Sequence, residues 1–155
     1  MKKKILIVIA DYYKDISLGL LSSAKNYLPK NFDVKIIKVP GVFEIPVTIS
    51  KNLKRYHAFI ALGCVIKGQT PHFDFISQAS TDAIMKLSLI SKKPVGNGII
   101  TCLNMHQAKL RKKKGAEAAN AIVSVLSQKW KQPLVQKITL ESLLSKNYMQ
   151  IYLMT

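Results

Sequence analysis

Short runs that are apolar throughout alternate along the chain with longer stretches that are apolar at every third or fourth position, and this alternation sets the expected elements. Residues 5–10 (ILIVIA) are apolar on both faces and rich in β-branched side chains, as suits a central parallel strand covered by helices on each side. From Ile16, the positions Leu20, Leu21, Ala24 and Leu28 keep the 3.6-residue period of a helix face, and Pro29 closes it. Residues 33–39 alternate and stop at the turn pair Pro40-Gly41. Pro46 then suits the first turn of a second helix reaching about Lys54, where a missing N–H costs nothing. Residues 58–66 read as a third strand, residues 67–71 as a polar loop, and residues 75–91 as a helix with Ile76, Ala79, Ala83 and Leu87 on one face. A fourth strand is expected over 94–101, broken at Gly96-Asn97-Gly98. Asn104 caps a short helix ending near Lys114, Gly115 marks a break, and residues 116–130 form an Ala-rich last helix. Such alternation predicts an α/β fold, a three-layer sandwich with a four-stranded, mostly parallel sheet and helices on both faces. The domain is expected over residues 1–130. Residues 131–155, with Pro133 and no sustained register, are expected to form a C-terminal extension with a short helix near Leu140 to Leu144.

Composition narrows the class. A chain of 155 residues with 48% hydrophobic and 21% charged positions is one globular domain of ordinary size. Its 24 Lys plus Arg against 8 Asp plus Glu leave a net charge of +16, which invites nucleic acid or an anionic membrane as partner. Lysine dominates, however: Arg55 and Arg111 are the only arginines, whereas planar guanidinium forks are what bidentate reading of phosphates and guanine edges favours. The basic run from Lys109 to Lys114 holds no aromatic on which a base could stack, and no helix-turn-helix, RRM or OB pattern accompanies it. Neither nucleic acid nor a membrane is therefore expected as partner. Cys64 and Cys102 both lie within apolar runs, which predicts reduced, buried thiols in a cytoplasmic protein. The basic amino terminus is followed by only six apolar residues before Asp11, too few for a signal peptide, and no run approaches the roughly 18 apolar residues of a membrane span.

In open parallel sheets, ligands gather beyond the carboxyl ends of the strands. That rule selects residues 11–15, 40–44, 67–74 and 101–104, which hold the aromatic pair Tyr12-Tyr13, the Phe43-Glu44 pair and the polar sequence Gly68-Gln69-Thr70-Pro71-His72-Phe73-Asp74. No GxGxxG, P-loop, CxxC or HExxH pattern is present, which argues against a dinucleotide, a P-loop nucleotide or a standard zinc site. What remains is a site with one histidine, one carboxylate and flat stacking groups. His72 could alternatively bond Asp74 for local order, and Glu44 could serve the start of the second helix. His57 and His106 are expected to be solvated.

The blocks PGVFEIP (residues 40–46), ALGCVIKG (61–68), TPHFDF (70–75) and KGAEAA (114–119) resemble the lumazine synthase family, whose members make 6,7-dimethyl-8-ribityllumazine for riboflavin biosynthesis. The resemblance covers roughly residues 5–130. It implies a flavodoxin-like fold and condensation of 5-amino-6-ribitylaminouracil with 3,4-dihydroxy-2-butanone 4-phosphate, through an imine, loss of phosphate and ring closure, with no cofactor and no metal. By the same resemblance, His72 would be the catalytic acid/base and Tyr12 would stack on the pyrimidine. Val42, Phe43 and Glu44 would line the ribityl side. Cys64, Val65 and Ile66 would meet the uracil through their backbone, and Gln69 and Thr70 would offer donors to the butanone phosphate. Arg111 and Lys114 would clamp that phosphate, and Asn97 stands where the family places a group packed on the pyrimidine from a neighbouring subunit. Assembly as a homopentamer, or a multiple of pentamers, is implied, with a lone pentamer expected because the chain starts almost directly at its first strand.

The chain departs from the family pattern in three places: Gly96-Asn97-Gly98 offers little stacking area, the stretch between Arg111 and Lys114 is shortened to Lys112-Lys113, and Asp11 replaces an arginine. Two other readings stand beside this one, an archaeal-type riboflavin synthase relative and a basic nucleic-acid-binding module.

Overall fold

In the computed structural model, which describes residues 2–128, the apolar runs form four strands: β1 (Lys4–Ala10), β2 (Asp33–Val39), β3 (Ala58–Ile66) and β4 (Val95–Cys102). They pair in the order β2-β1-β3-β4, and every pairing is parallel. Continuous burial along β1 and most of β3 follows from that order, since the two central strands are covered on both faces. Helices α1 (Lys14–Tyr27) and α5 (Lys114–Ser127) cover one face; α2 (Ile45–Asn52) and α3 (His72–Ser91) cover the other. A short α4 (Met105–Leu110) follows β4. The result is a three-layer α/β sandwich with the flavodoxin-like strand order. The expected extension over residues 131–155, and its short helix, lie outside the described residues.

Two glycine readings are corrected. The fourth strand is not broken at Gly96-Asn97-Gly98 but runs through it, with Gly96 and Gly98 buried under α5. A Cβ on Gly96 would stand 2.1 Å from the Ala118 carbonyl oxygen of α5, and one on Gly98 3.2 Å from the Ala118 Cβ and 2.6 Å from Leu62 Cδ2 of β3, so these glycines mark close approaches rather than the end of a strand. Gly115 likewise lies inside α5, where a Cβ would sit 2.0 Å from the Leu20 carbonyl oxygen of α1. The actual break falls at residues 111–113, between α4 and α5.

The third helix begins at His72, three residues earlier than the apolar period indicates. Pro71 occupies its N-cap and its carbonyl accepts the N–H groups of Asp74 at 3.0 Å and Phe75 at 3.3 Å. Proline at a helix start gives up no hydrogen bond, so a residue that reads as a breaker here serves as an entry. Asn104 caps α4 as expected, its Oδ1 accepting the Gln107 N–H at 2.9 Å, but that helix ends at Leu110 rather than near Lys114.

Candidate active site

Strand order reverses between β1 and β3, and the carboxyl ends of β1, β2 and β3 open there onto a cavity of about 270 Å³. Each strand end is fixed by hydrogen bonds before it contributes side chains. The buried Ser17 hydroxyl of α1 donates to the Ala10 carbonyl at 2.6 Å, and the Asp11 N–H donates to the Val39 carbonyl at 2.9 Å, tying β1 to α1 and to β2. The turn that follows presents Tyr12 and Tyr13, whose rings meet edge to face with centroids 4.8 Å apart. Beyond β2, a 3-10 turn (Val42–Glu44) leads into α2, with a proline in its first turn as the sequence predicts. Beyond β3, the Lys67 N–H bonds the Cys102 carbonyl at 2.9 Å, and the chain then crosses to His72 in the first turn of α3.

Seven of the residues expected at the site line this one cavity: Tyr12, Val42, Phe43, Cys64, Val65, Ile66 and His72. His72 is solvent-exposed, and its ring has no hydrogen-bond partner among the described residues, so the alternative bond to Asp74 is not formed. The Cys64 thiol is pushed up to about 12, chiefly by burial and further by the neighbouring Cys102 thiol. It stays protonated at neutral pH and is no nucleophile. Tyr13 and Gly41, which belong to the strand-end loops the sequence singles out but carry no expected role, also line the wall, and Ile76 is the one lining residue outside those loops and strands. Ile76 lies four residues after His72, and the i, i+4 spacing of a helix puts both on one face, a signal the sequence carries once the helix start is known.

A family model described as 6,7-dimethyl-8-ribityllumazine synthase matches residues 2–129. The chain belongs to the 6,7-dimethyl-8-ribityllumazine synthase family. Among curated proteins of that name, the one from Agrobacterium fabrum is 40% identical over 145 residues, which is 84% of this chain and 97% of the relative. The one from Corynebacterium kroppenstedtii is 38% identical over 128 residues, covering 77% of this chain and 80% of the relative. The one from Cutibacterium acnes is 36% identical over 133 residues, covering 80% of each. Neither the riboflavin synthase relative nor the nucleic-acid module is favoured by these matches.

The remaining expected residues of this lumazine synthase family member lie outside the central cavity of the single chain. Glu44 turns back on its own helix start, its Oε2 accepting the Gly41 N–H at 3.0 Å, and it borders a separate groove with Pro46, Val47 and Ala79. Gln69 and Thr70 are exposed in the loop between β3 and α3. Asn97 points outward from the edge strand β4, three residues into the strand and so far from the carboxyl ends; its Oδ1 accepts the Ile99 N–H at 3.0 Å. Arg111, exposed at the end of α4, spends one fork nitrogen on the Thr101 carbonyl at 3.0 Å and borders a shallow recess with Gln107 and Leu110. Lys114 starts α5 and pairs with Glu117 one turn on. Asn97 lies on the outer strand β4, and Arg111 and Lys114 belong to the segment that follows it; none of the three lines the cavity at the β1/β3 junction.

Asp11 pairs with Lys38 of β2 at 3.5 Å. His57 corrects the expectation of a solvated ring. It is half-buried, and its Nδ1 accepts the Lys4 N–H at 2.9 Å while the His57 backbone N–H donates to the Lys4 carbonyl at 2.8 Å, pinning the start of β1. His106 is exposed on α4, as expected. Among the described residues no three His, Cys, Asp or Glu side chains cluster as metal ligands, and no helix is long and apolar enough to cross a membrane.

Proposed function

We propose that the chain condenses 5-amino-6-ribitylaminouracil with 3,4-dihydroxy-2-butanone 4-phosphate to 6,7-dimethyl-8-ribityllumazine, releasing phosphate and, in the imine-forming and ring-closing steps, water, with its site completed by a second copy of itself. The observation that carries this is the grouping of His72 with Tyr12 and Phe43 around one cavity at the β1/β3 junction of a lumazine synthase family member. Tyr12 supplies a flat, exposed ring for the pyrimidine, and the end of β3 supplies backbone donors and acceptors for its amide edges. His72 exchanges protons among the attacking amine, the ketone oxygen and the departing phosphate, a role worth about 10²–10⁴ in rate. The positive end of the 20-residue α3 lies at the same mouth, which suits an anionic group held by the Gln69-Thr70 loop.

One chain supplies only part of what two substrates need. A cavity of about 270 Å³ falls below the roughly 300–1,000 Å³ of a typical ligand cleft, and Asn97, Arg111 and Lys114 do not line it. A ring of copies brings the β4 edge of one against the open cavity of the next, and we propose the homopentamer as that ring. In this reading Arg111 and Lys114 grip the butanone phosphate across the junction, Glu44 accepts ribityl hydroxyl hydrogen bonds after releasing Gly41, residues 1–130 form the catalytic domain, and the enzyme works in the cytoplasm.

The test is to mix the purified protein with both substrates and follow lumazine absorbance and free phosphate. His72→Ala is expected to lower kcat by about 10²-fold with KM little changed, and Arg111→Ala to raise KM for the butanone phosphate by about tenfold. No acceleration over the uncatalysed reaction at saturating substrate sinks the enzymatic reading; small, equal effects of both substitutions sink the residue roles.

A further inference from the structure

Tyr12 and Tyr13 stand between two cavities. Both line the central one, and on their other side both line a second of about 440 Å³, bounded by Lys14, Asp15, Ile16, Met105 and Lys109. The two rings are held very differently. Tyr12 is 74% exposed. Tyr13 packs on the buried cluster that includes Ile16, Cys64 and Ala108, and its backbone forms the N-cap of α1, its carbonyl accepting the Ser17 N–H at 2.9 Å. Burial raises the Tyr13 phenol pKa above its ordinary value, with Tyr12 and Cys64 adding to the effect. The rings touch edge to face, 4.8 Å apart and inclined at 77°.

An exposed tyrosine on a turn samples several rotamers, and here a second cavity stands ready to receive the ring in the wrong one. Contact with the edge of an anchored neighbour removes that freedom before the substrate arrives, and an aromatic pair of this geometry is a specific attraction beyond its buried area. We infer that Tyr13 is a positioning residue, holding the Tyr12 ring on the central-cavity side so that it is already oriented to stack on the flat heterocycle of the pyrimidine substrate. The inference rests on the reading of Tyr12 as the stacking residue. It makes Tyr13 important for binding the pyrimidine rather than for the chemical step, because a ring oriented in advance has less freedom to lose on binding.

Calorimetric titration of 5-amino-6-ribitylaminouracil into the native protein and into Tyr12→Leu, Tyr13→Leu, Tyr13→Phe and the Leu/Leu double variant tests this, together with kcat at saturating substrate. Tyr13→Leu is expected to weaken binding about three- to tenfold while kcat stays within about twofold, Tyr13→Phe to restore native binding, and the double variant to bind no worse than Tyr12→Leu alone. Weakened binding in Tyr12→Leu with native binding in Tyr13→Leu overturns the positioning role and leaves the stacking reading standing. Native binding in Tyr12→Leu overturns both. Additive losses in the double variant, or no rescue by Tyr13→Phe, also overturn it. Fluorine NMR of the unmutated chain carrying 3-fluorotyrosine gives a reading independent of whether Tyr13→Leu folds: one Tyr12 environment in the free protein supports the arrangement, and two exchanging environments overturn it.

Discussion

On one face of the sheet, α1 and α5 press so closely together that Gly115 leaves no room for a methyl group against Leu20, and α5 rests on β4 through Gly96 and Gly98. On the other face, α3 is the longest helix of the described residues yet buries only Ser80 and Ile84 of its 20 residues. It leaves Phe75, Met85, Leu89 and Ile90 in solvent, the last two at 70% and 78% exposure. Burying such a side chain contributes about 1.5–3 kcal/mol, so several left out on one helix amount to a large unclaimed stabilisation. The first face is finished within the chain and serves folding. The second is unfinished, and we expect it to serve assembly.

Substitutions that strike one face and spare the other would break this comparison. The largest effect is expected from Gly115→Ala, whose Cβ meets a backbone carbonyl that cannot rotate away. A loss of about 3 kcal/mol in urea unfolding, or about 10 °C in Tm, is the expected outcome. A variant as stable as the native chain would show that α1 and α5 are free to separate. Next comes the pair Leu89→Glu with Ile90→Glu, which should leave the unfolding free energy of the isolated chain within about 0.5 kcal/mol of native but shift sedimentation toward single chains. If the doubly substituted chain sediments as the native protein does, α3 is not a contact.

The smallest effect belongs to Asp15, whose carboxylate pairs with Lys112 at 2.8 Å on the finished face. The lysine hydrogen bond and charge hold the Asp15 pKa below its ordinary value. A depressed carboxylate stabilises the fold at pH values above its unfolded-state titration, and that contribution fades as pH falls through the depressed value. Asp15→Asn should therefore lower Tm only near neutral pH, by no more than about 2 °C for so exposed a pair, and the two melting curves should converge in acid. A gap that widens in acid would contradict the pairing.

The strands were the most legible part of the sequence, because residues 33–39 and 58–66 carry the period and the β-branched content of strands and end at recognisable turns. The glycines were the least legible. Locally, Gly96, Gly98 and Gly115 read as breaks, and only the helix packed against each one reveals that it marks a close approach. At the site, the residues beyond β1, β2 and β3 follow from strand-end logic alone, and the structure gathers most of them. Asn97, Arg111 and Lys114 are legible only through resemblance, since within one chain nothing joins them to the cavity. Glu44 shows the limit of residue type as a guide: a carboxylate near a binding loop is as useful to a helix start as to a polyol, and in the single chain it serves the helix.

Along β4 the side chains alternate, so the even positions Gly96, Gly98, Ile100 and Cys102 are buried in packing while Asn97 and Thr101 remain exposed. The strand can thus drift in sequence at two addresses without disturbing α5. A directed-evolution library meant to alter what this edge offers a neighbour should concentrate its diversity at 97 and 101, since variation at 96 and 98 would mostly yield chains that no longer fold.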